Sequence, residues 1–186
     1  MNAWTVIKDQ KPRISVADLF HMMEQGVIDP EAKFELVEGE IVPMSPQGPL
    51  HQDLQNWLSR RLALALSDRF WVAQGSTLIL PDNTALDPDI CVYPLHLKAA
   101  DLAGDKVALI AEVAVSSKRY DLGKKAGLYS SMGVQELWVV DANARTTHVH
   151  RGPQAGGWRD IVQVPFEEPL SPIADVTLSV RIADAG

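Results

Sequence analysis

Three short apolar runs constrain this chain most: Asp89-Ile90-Cys91-Val92-Tyr93, Val107 to Val113, and Glu136-Leu137-Trp138-Val139-Val140. None alternates strictly between apolar and polar, so each reads as a strand covered on both faces, at the centre of a sheet. Between them, Asp121 to Met132 reads as a helix ended by Gly133, joining two neighbouring strands as a crossover. Upstream, Leu54, Trp57, Leu58, Leu62 and Leu66 recur at helical spacing from Leu50, with no Gly or Pro until Gly75. This order of helices and strands predicts an α/β fold with a mixed central sheet flanked by helices, and excludes a β-sandwich.

Further elements lie outside that centre. Ser15 caps a short helix over Val16 to Gln25, and a turn begins at Asp29-Pro30. Phe34 to Val37 and Glu40 to Val42 form a hairpin around Glu38-Gly39, and Pro43 to Pro49 is loop. Phe70 to Leu80 reads as one strand closed by a Pro81-Asp82-Asn83 turn, and Thr146 to Arg151 as an edge hairpin arm. Beyond Gly152 the prolines at 153, 165, 169 and 172 predict a peripheral β extension without long elements. With no repeat or long linker, residues 1–186 read as a single domain with a core at about 34–151 and extra N- and C-terminal β elements.

With 186 residues, 46% of them hydrophobic, the chain can bury a core without disulfide or metal staples. The lone Cys91 reads as a small buried hydrophobe in a reducing compartment. The N-terminus, Met1-Asn2-Ala3-Trp4, carries no export signal and no window is long enough for a membrane span, so the expected location is cytoplasmic, away from membranes. The net charge of −7 opposes simple phosphate neutralisation; contact with nucleic acid needs a bound cation or a local basic patch.

The acids fall where such a cation could sit. Asp89 opens one core strand and Glu112 closes another, and a carboxylate there is costly to desolvate unless it is paired or metal-bound. Two such oxygens suit Mg²⁺ or Mn²⁺; each acid alone could equally cap its strand or pair with a lysine. Asp121, Lys125 and Tyr129 share one helix face, so Lys125 points either back toward the acids or into a solvated pair with Asp121. His51 opens the long helix, within reach of a metal or phosphate or simply as a helix-start histidine. Ser116 and Ser117 read as caps rather than nucleophiles, and His148 and His150 as a surface pair on an edge strand.

Phe34-Glu35-Leu36-Val37-Glu38-Gly39-Glu40, His51 after the Pro-rich loop, Pro88-Asp89, Glu112-Val113-Ala114 with Ser116-Ser117 and Asp121, Lys125, Tyr129, and Gly133 to Asp141 occur in an order that resembles the bacterial Uma-two family of restriction-endonuclease-like proteins. That family is similar to the PD-(D/E)xK nucleases. The resemblance implies a restriction-endonuclease-like fold and Mg²⁺- or Mn²⁺-dependent endonuclease activity on DNA, with homodimers common among relatives. It also implies Glu35, Asp89 and Glu112 as acidic ligands, the Val113 carbonyl as a further ligand, Lys125 as the lysine, and His51, Asp121 and Tyr129 as accessory positions. The superfamily's lysine two residues after the Glu is replaced by Ala114, and Val115 stands where relatives often carry a polar residue. A non-catalytic binding or assembly module of the same fold is the alternative, favoured by Ala114 and the negative charge.

Overall fold

The computed structural model describes residues 13–29, 31–80 and 83–186. Met1 to Trp4, Pro30 and Pro81-Asp82 lie outside them. The chain forms two compact units, one from residues up to Met44 with Ile79–Leu86, the other from Ser45–Leu78 with Asp87–Gly186.

In the first unit, α1 (Val16–Glu24) begins as expected at Ser15. The Ser15 hydroxyl accepts the Asp18 N–H at 3.0 Å while the Asp18 carboxylate reaches back to Ser15, a reciprocal cap that satisfies two orphan donors. Then β1 (Phe34–Val37) and β2 (Glu40–Pro43) pair antiparallel. Their two-residue turn puts Glu38 at φ 52° and Gly39 at φ 80°, the doubly left-handed turn that matches strand twist. A four-stranded sheet runs β2-β1-β5-β4, with β4 at Leu78–Leu80 and β5 at Thr84–Leu86. Leu19, Leu36 and Ala85 form its small core.

The expected single strand over Phe70 to Leu80 is two strands. β3 (Phe70–Ala73) and β4 belong to different sheets, parted at Gly75, whose φ of 67° no extended strand can hold. The β-rich composition on either side hid the break.

The second unit carries α2 (Pro49–Leu66) and a six-stranded sheet of order β10-β9-β8-β7-β6-β3. Here β6 is Ile90–Pro94, β7 Leu109–Ala114, β8 Glu136–Asp141, β9 Thr146–Gln154 and β10 Gly157–Pro165. β7 and β8 are parallel, joined by the helical crossover that the sequence predicts; the other pairs are antiparallel. That crossover starts earlier than predicted, as α3 (Lys118–Tyr120), a π-helical turn (Asp121–Lys125) and α4 (Ala126–Ser131).

β9 is not an edge. β10 pairs along it, and both strands run nine residues despite the prolines. Pro153 and Pro165 sit within one residue of strand ends, where a missing N–H is cheap, and Gly156 and Gly157 take positive φ where the chain turns into β10. After β10 the chain makes one isolated bridge, Leu170 to Val180, yet Phe166, Leu170, Val180 and Ile182 are buried in the main core. That core unites Leu54, Leu58, Leu62 and Leu66 of α2 with Ile90, Val92, Leu109, Ala111, Val113, Trp138 and Val140 of the sheet.

Candidate active site

The antiparallel register that pairs Ile90 with Ala111 brings Asp89 beside Glu112, 23 residues away in the chain. The Asp89 N–H donates to Glu112 Oε2 at 3.3 Å, and the Val113 N–H donates to Asp89 Oδ2 at 2.8 Å. Both acids are buried. Asp89 is further held by the start of α2 and the loop before it. His51 Nε2 lies 3.0 Å from Oδ2, Gln47 Nε2 donates to Oδ1 at 3.1 Å, and Gln55 Nε2 donates to the Asp89 carbonyl at 2.8 Å. His51 and Gln55 are four residues apart and therefore share a helix face.

From the other side the crossover supplies two groups to one oxygen of Glu112. Lys125 Nζ stands 3.0 Å from Oε1, and the Tyr129 hydroxyl donates to the same atom at 2.5 Å. Lys125 and Tyr129 are both buried, so of the two orientations open in the sequence the structure has the one aimed at the acids. Asp121 is buried as well and accepts the Ser117 hydroxyl. Ser117 thus occupies the N-cap position of α3, but its side chain serves a carboxylate rather than a backbone N–H.

Electrostatically the site holds more acid than base. Burial pushes the Glu112 carboxyl up to about 8; Lys125 and Tyr129 oppose this, and the neighbouring Asp89 and Asp121 add to it. Three buried acids facing one buried lysine are what a hard cation would relieve, and carboxylate oxygens are the donors that Mg²⁺ or Mn²⁺ accepts. By donor chemistry Asp89 and Glu112 fit such an ion. Among the described residues no three His, Cys, Asp or Glu side chains already stand together as a preformed metal cage.

Glu35 is buried on β1 of the first unit, and its place as a third acid rests on the family resemblance. Reading the sequence missed Gln47 and Gln55. Gln55 was findable, four residues after His51 on a helix, whereas nothing marks Gln47 within its loop. The reading of His148 and His150 as a surface pair is corrected: β10 covers their strand, both are buried, and His150 packs against Trp158 at 5.8 Å between ring centroids. Burial holds both imidazoles below their ordinary pKa. Cys91 is wholly buried, its thiol pushed up to about 12, as suits an inert core residue. No helix among the described residues is long and apolar enough to cross a membrane.

Comparison with known proteins bears on the fold and the family. A solved structure described as a "putative nuclease" from Anabaena variabilis superposes with a TM-score of 0.74 at 18% identity, over 92% of this chain and 97% of that one, so the fold is shared. An uncharacterized protein of Synechocystis is 28% identical over 121 residues, which span 59% of this chain and 66% of that protein, just under two thirds of its length. The model of the Uma2 family, described as "Putative restriction endonuclease", matches residues 17–183. With nearly the whole length matched, this chain belongs to the Uma2 family of restriction-endonuclease-like proteins.

Proposed function

We propose that the protein is a divalent-metal-dependent endonuclease that hydrolyses phosphodiester bonds of DNA. The observation that carries this reading is the junction of Asp89 and Glu112 through one N–H···O contact, with the buried Lys125 ammonium on Glu112. Asp89, Glu112 and the Val113 carbonyl would hold Mg²⁺ or Mn²⁺, with Glu35 the further acid that the family adds. When bound, the ion would supply an acidified water and offset the charge that develops on the phosphoryl oxygens during in-line attack.

The chain's own residues prepare that site. His51, Gln47 and the Val113 N–H fix both oxygens of Asp89, so its carboxylate is oriented before any ligand arrives. Lys125 and Tyr129 fix Oε1 of Glu112, and the lysine stands where Ala114 leaves the strand without one. A cytoplasmic homodimer completes the reading, since two copies offer one site to each strand of a duplex.

The test is purified protein with Mg²⁺ or Mn²⁺ on supercoiled plasmid and single-stranded DNA. Nicking that disappears in Asp89→Asn and in Glu112→Gln supports the reading. No cleavage with either metal, or equal cleavage by Asp89→Asn, overturns it in favour of the non-catalytic module that Ala114 and the −7 charge favour.

A further inference from the structure

The buried lysine of the candidate site has a counterpart one pleat away. β7 and β8 pair in parallel with Glu112 opposite Val139 and Ala114 opposite Asp141, and β9 sets His148 opposite Val139. Directly paired residues share a sheet face, so Glu112, Asp141 and His148 lie on one side of the sheet, with Asp141 about 7 Å further along the strands. Asp141 is 1% exposed, and Lys118 Nζ stands 2.5 Å from its Oδ2. Its other oxygen accepts the N–H groups of Asn143 at 3.1 Å and Ala144 at 3.0 Å, which pins the carboxylate in place.

The two lysines differ in what they can touch. The Lys125 side chain is 4% exposed and committed to Glu112. The Lys118 side chain is 49% exposed although its partner is buried, and the adjoining Arg119 and nearby Lys124 are exposed too. An ammonium anchored on one side by a fixed carboxylate and open to water on the other can meet an anion with little further loss of freedom. Behind it, burial and the nearby Lys118 charge hold the His148 imidazole below its ordinary pKa, against the opposing effect of Asp141. The local cation that a chain of net charge −7 needs for phosphate is therefore at hand beside the acids.

We propose that Lys118, anchored by buried Asp141, is the residue that docks the DNA backbone phosphate next to the candidate site, leaving Lys125 to serve Glu112. This rests on the nuclease reading and adds the contact that seats its substrate. Simple truncation of Lys118 would strand a buried carboxylate, so the informative variant is the doubly neutral Lys118→Gln/Asp141→Asn, which preserves net charge and a polar pair.

Affinity is measured by fluorescence anisotropy of a short fluorescein-labelled duplex in Ca²⁺, across a salt series, with Mn²⁺ titration and thermal unfolding of each protein alongside. The double variant is expected to bind about 5- to 10-fold more weakly, with the log–log salt slope reduced by about 0.9. Lys118→Arg keeps affinity and slope, and Mn²⁺ binding is the same in all three. If the double variant binds DNA with wild-type affinity and slope, Lys118 is not the docking residue and the nuclease reading stands. If the wild-type protein binds no DNA at any salt concentration, the nuclease reading falls and this proposal with it.

Discussion

The two faces of the six-stranded sheet are built by alternate residues of the same strands, and both bury apolar residues, but only one of them carries the acids of the candidate site. One carries Ile90, Val92, Leu109, Ala111, Val113, Trp138 and Val140 against the leucines of α2. The other carries Glu112, Asp141, His148 and His150, with Asp89 beside Glu112, under the crossover that supplies Lys125 and Tyr129. The apolar face supplies the area that holds the second unit together. The face with the acids also buries Ile110, Leu137 and Val139, but it must balance its own charge as well, so the pleat sets the candidate site opposite the main apolar cluster.

The largest effect is expected on the apolar face. Leu58→Ala, at a side chain 1% exposed, should cost about 2–5 kcal/mol in denaturant unfolding, through lost burial and the cavity left behind. Leu58 sits about two helical turns beyond His51, within the apolar cluster, so Mn²⁺ binding by the folded variant should be unchanged. Altered metal binding would show that the two faces are not separable.

Next is Lys125→Met, whose cost should depend on pH. At pH 9 the wild-type Glu112 carboxyl is ionised, and the variant must either hold that buried charge unpaired or take up a proton, costing about 3 kcal/mol. At pH 6 Glu112 already carries its proton and the loss should be much smaller. A penalty equal at both values would contradict the protonation assigned to Glu112.

The same group sets the sign of the wild-type pH dependence. The folded protein binds a proton on Glu112 that the unfolded chain releases above its ordinary value of 4.5. Its contribution to metal-free stability is therefore fully present below 4.5 and is lost as pH rises through about 8. Glu112→Gln should flatten that part of the profile. Stability that instead rises over this interval, and does so because of Glu112, would reverse the assignment.

Smallest is Tyr129→Phe, which removes one hydrogen bond to Glu112 and should cost about 1–2 kcal/mol. Cleavage should fall by more than stability does, because Glu112 loses one of the two groups that orient it. Equal losses would make Tyr129 a core residue only.

The same division explains what could be read in the chain. The apolar runs at Ile90, Leu109 and Leu137 and the leucine spacing of α2 are local patterns, and each became the predicted element. Asp89 and Glu112 were legible because a charge at the end of an apolar run is an anomaly that needs a reason. Helix spacing put Lys125 and Tyr129 on one face but left open whether Lys125 meets the acids or a solvated Asp121. What stayed hidden depends on distant pairing. Nothing in Thr146 to Arg151 says that residues 157–165 will cover it, so the buried histidines looked exposed. The Asp141–Lys118 pair joins residues 23 apart through strand register, with no periodicity to announce it. The π-helical turn is likewise silent, since Asp121 to Lys125 carries the composition of an ordinary helix.

The central claim is that Asp89 and Glu112 together grip one divalent ion. Isothermal titration of Mn²⁺ into the wild-type protein, Asp89→Asn and Glu112→Gln measures it most directly. The account predicts one site per chain in the wild type, with binding abolished or severely weakened in both variants. Absence of binding, or binding that survives either substitution unchanged, would contradict it.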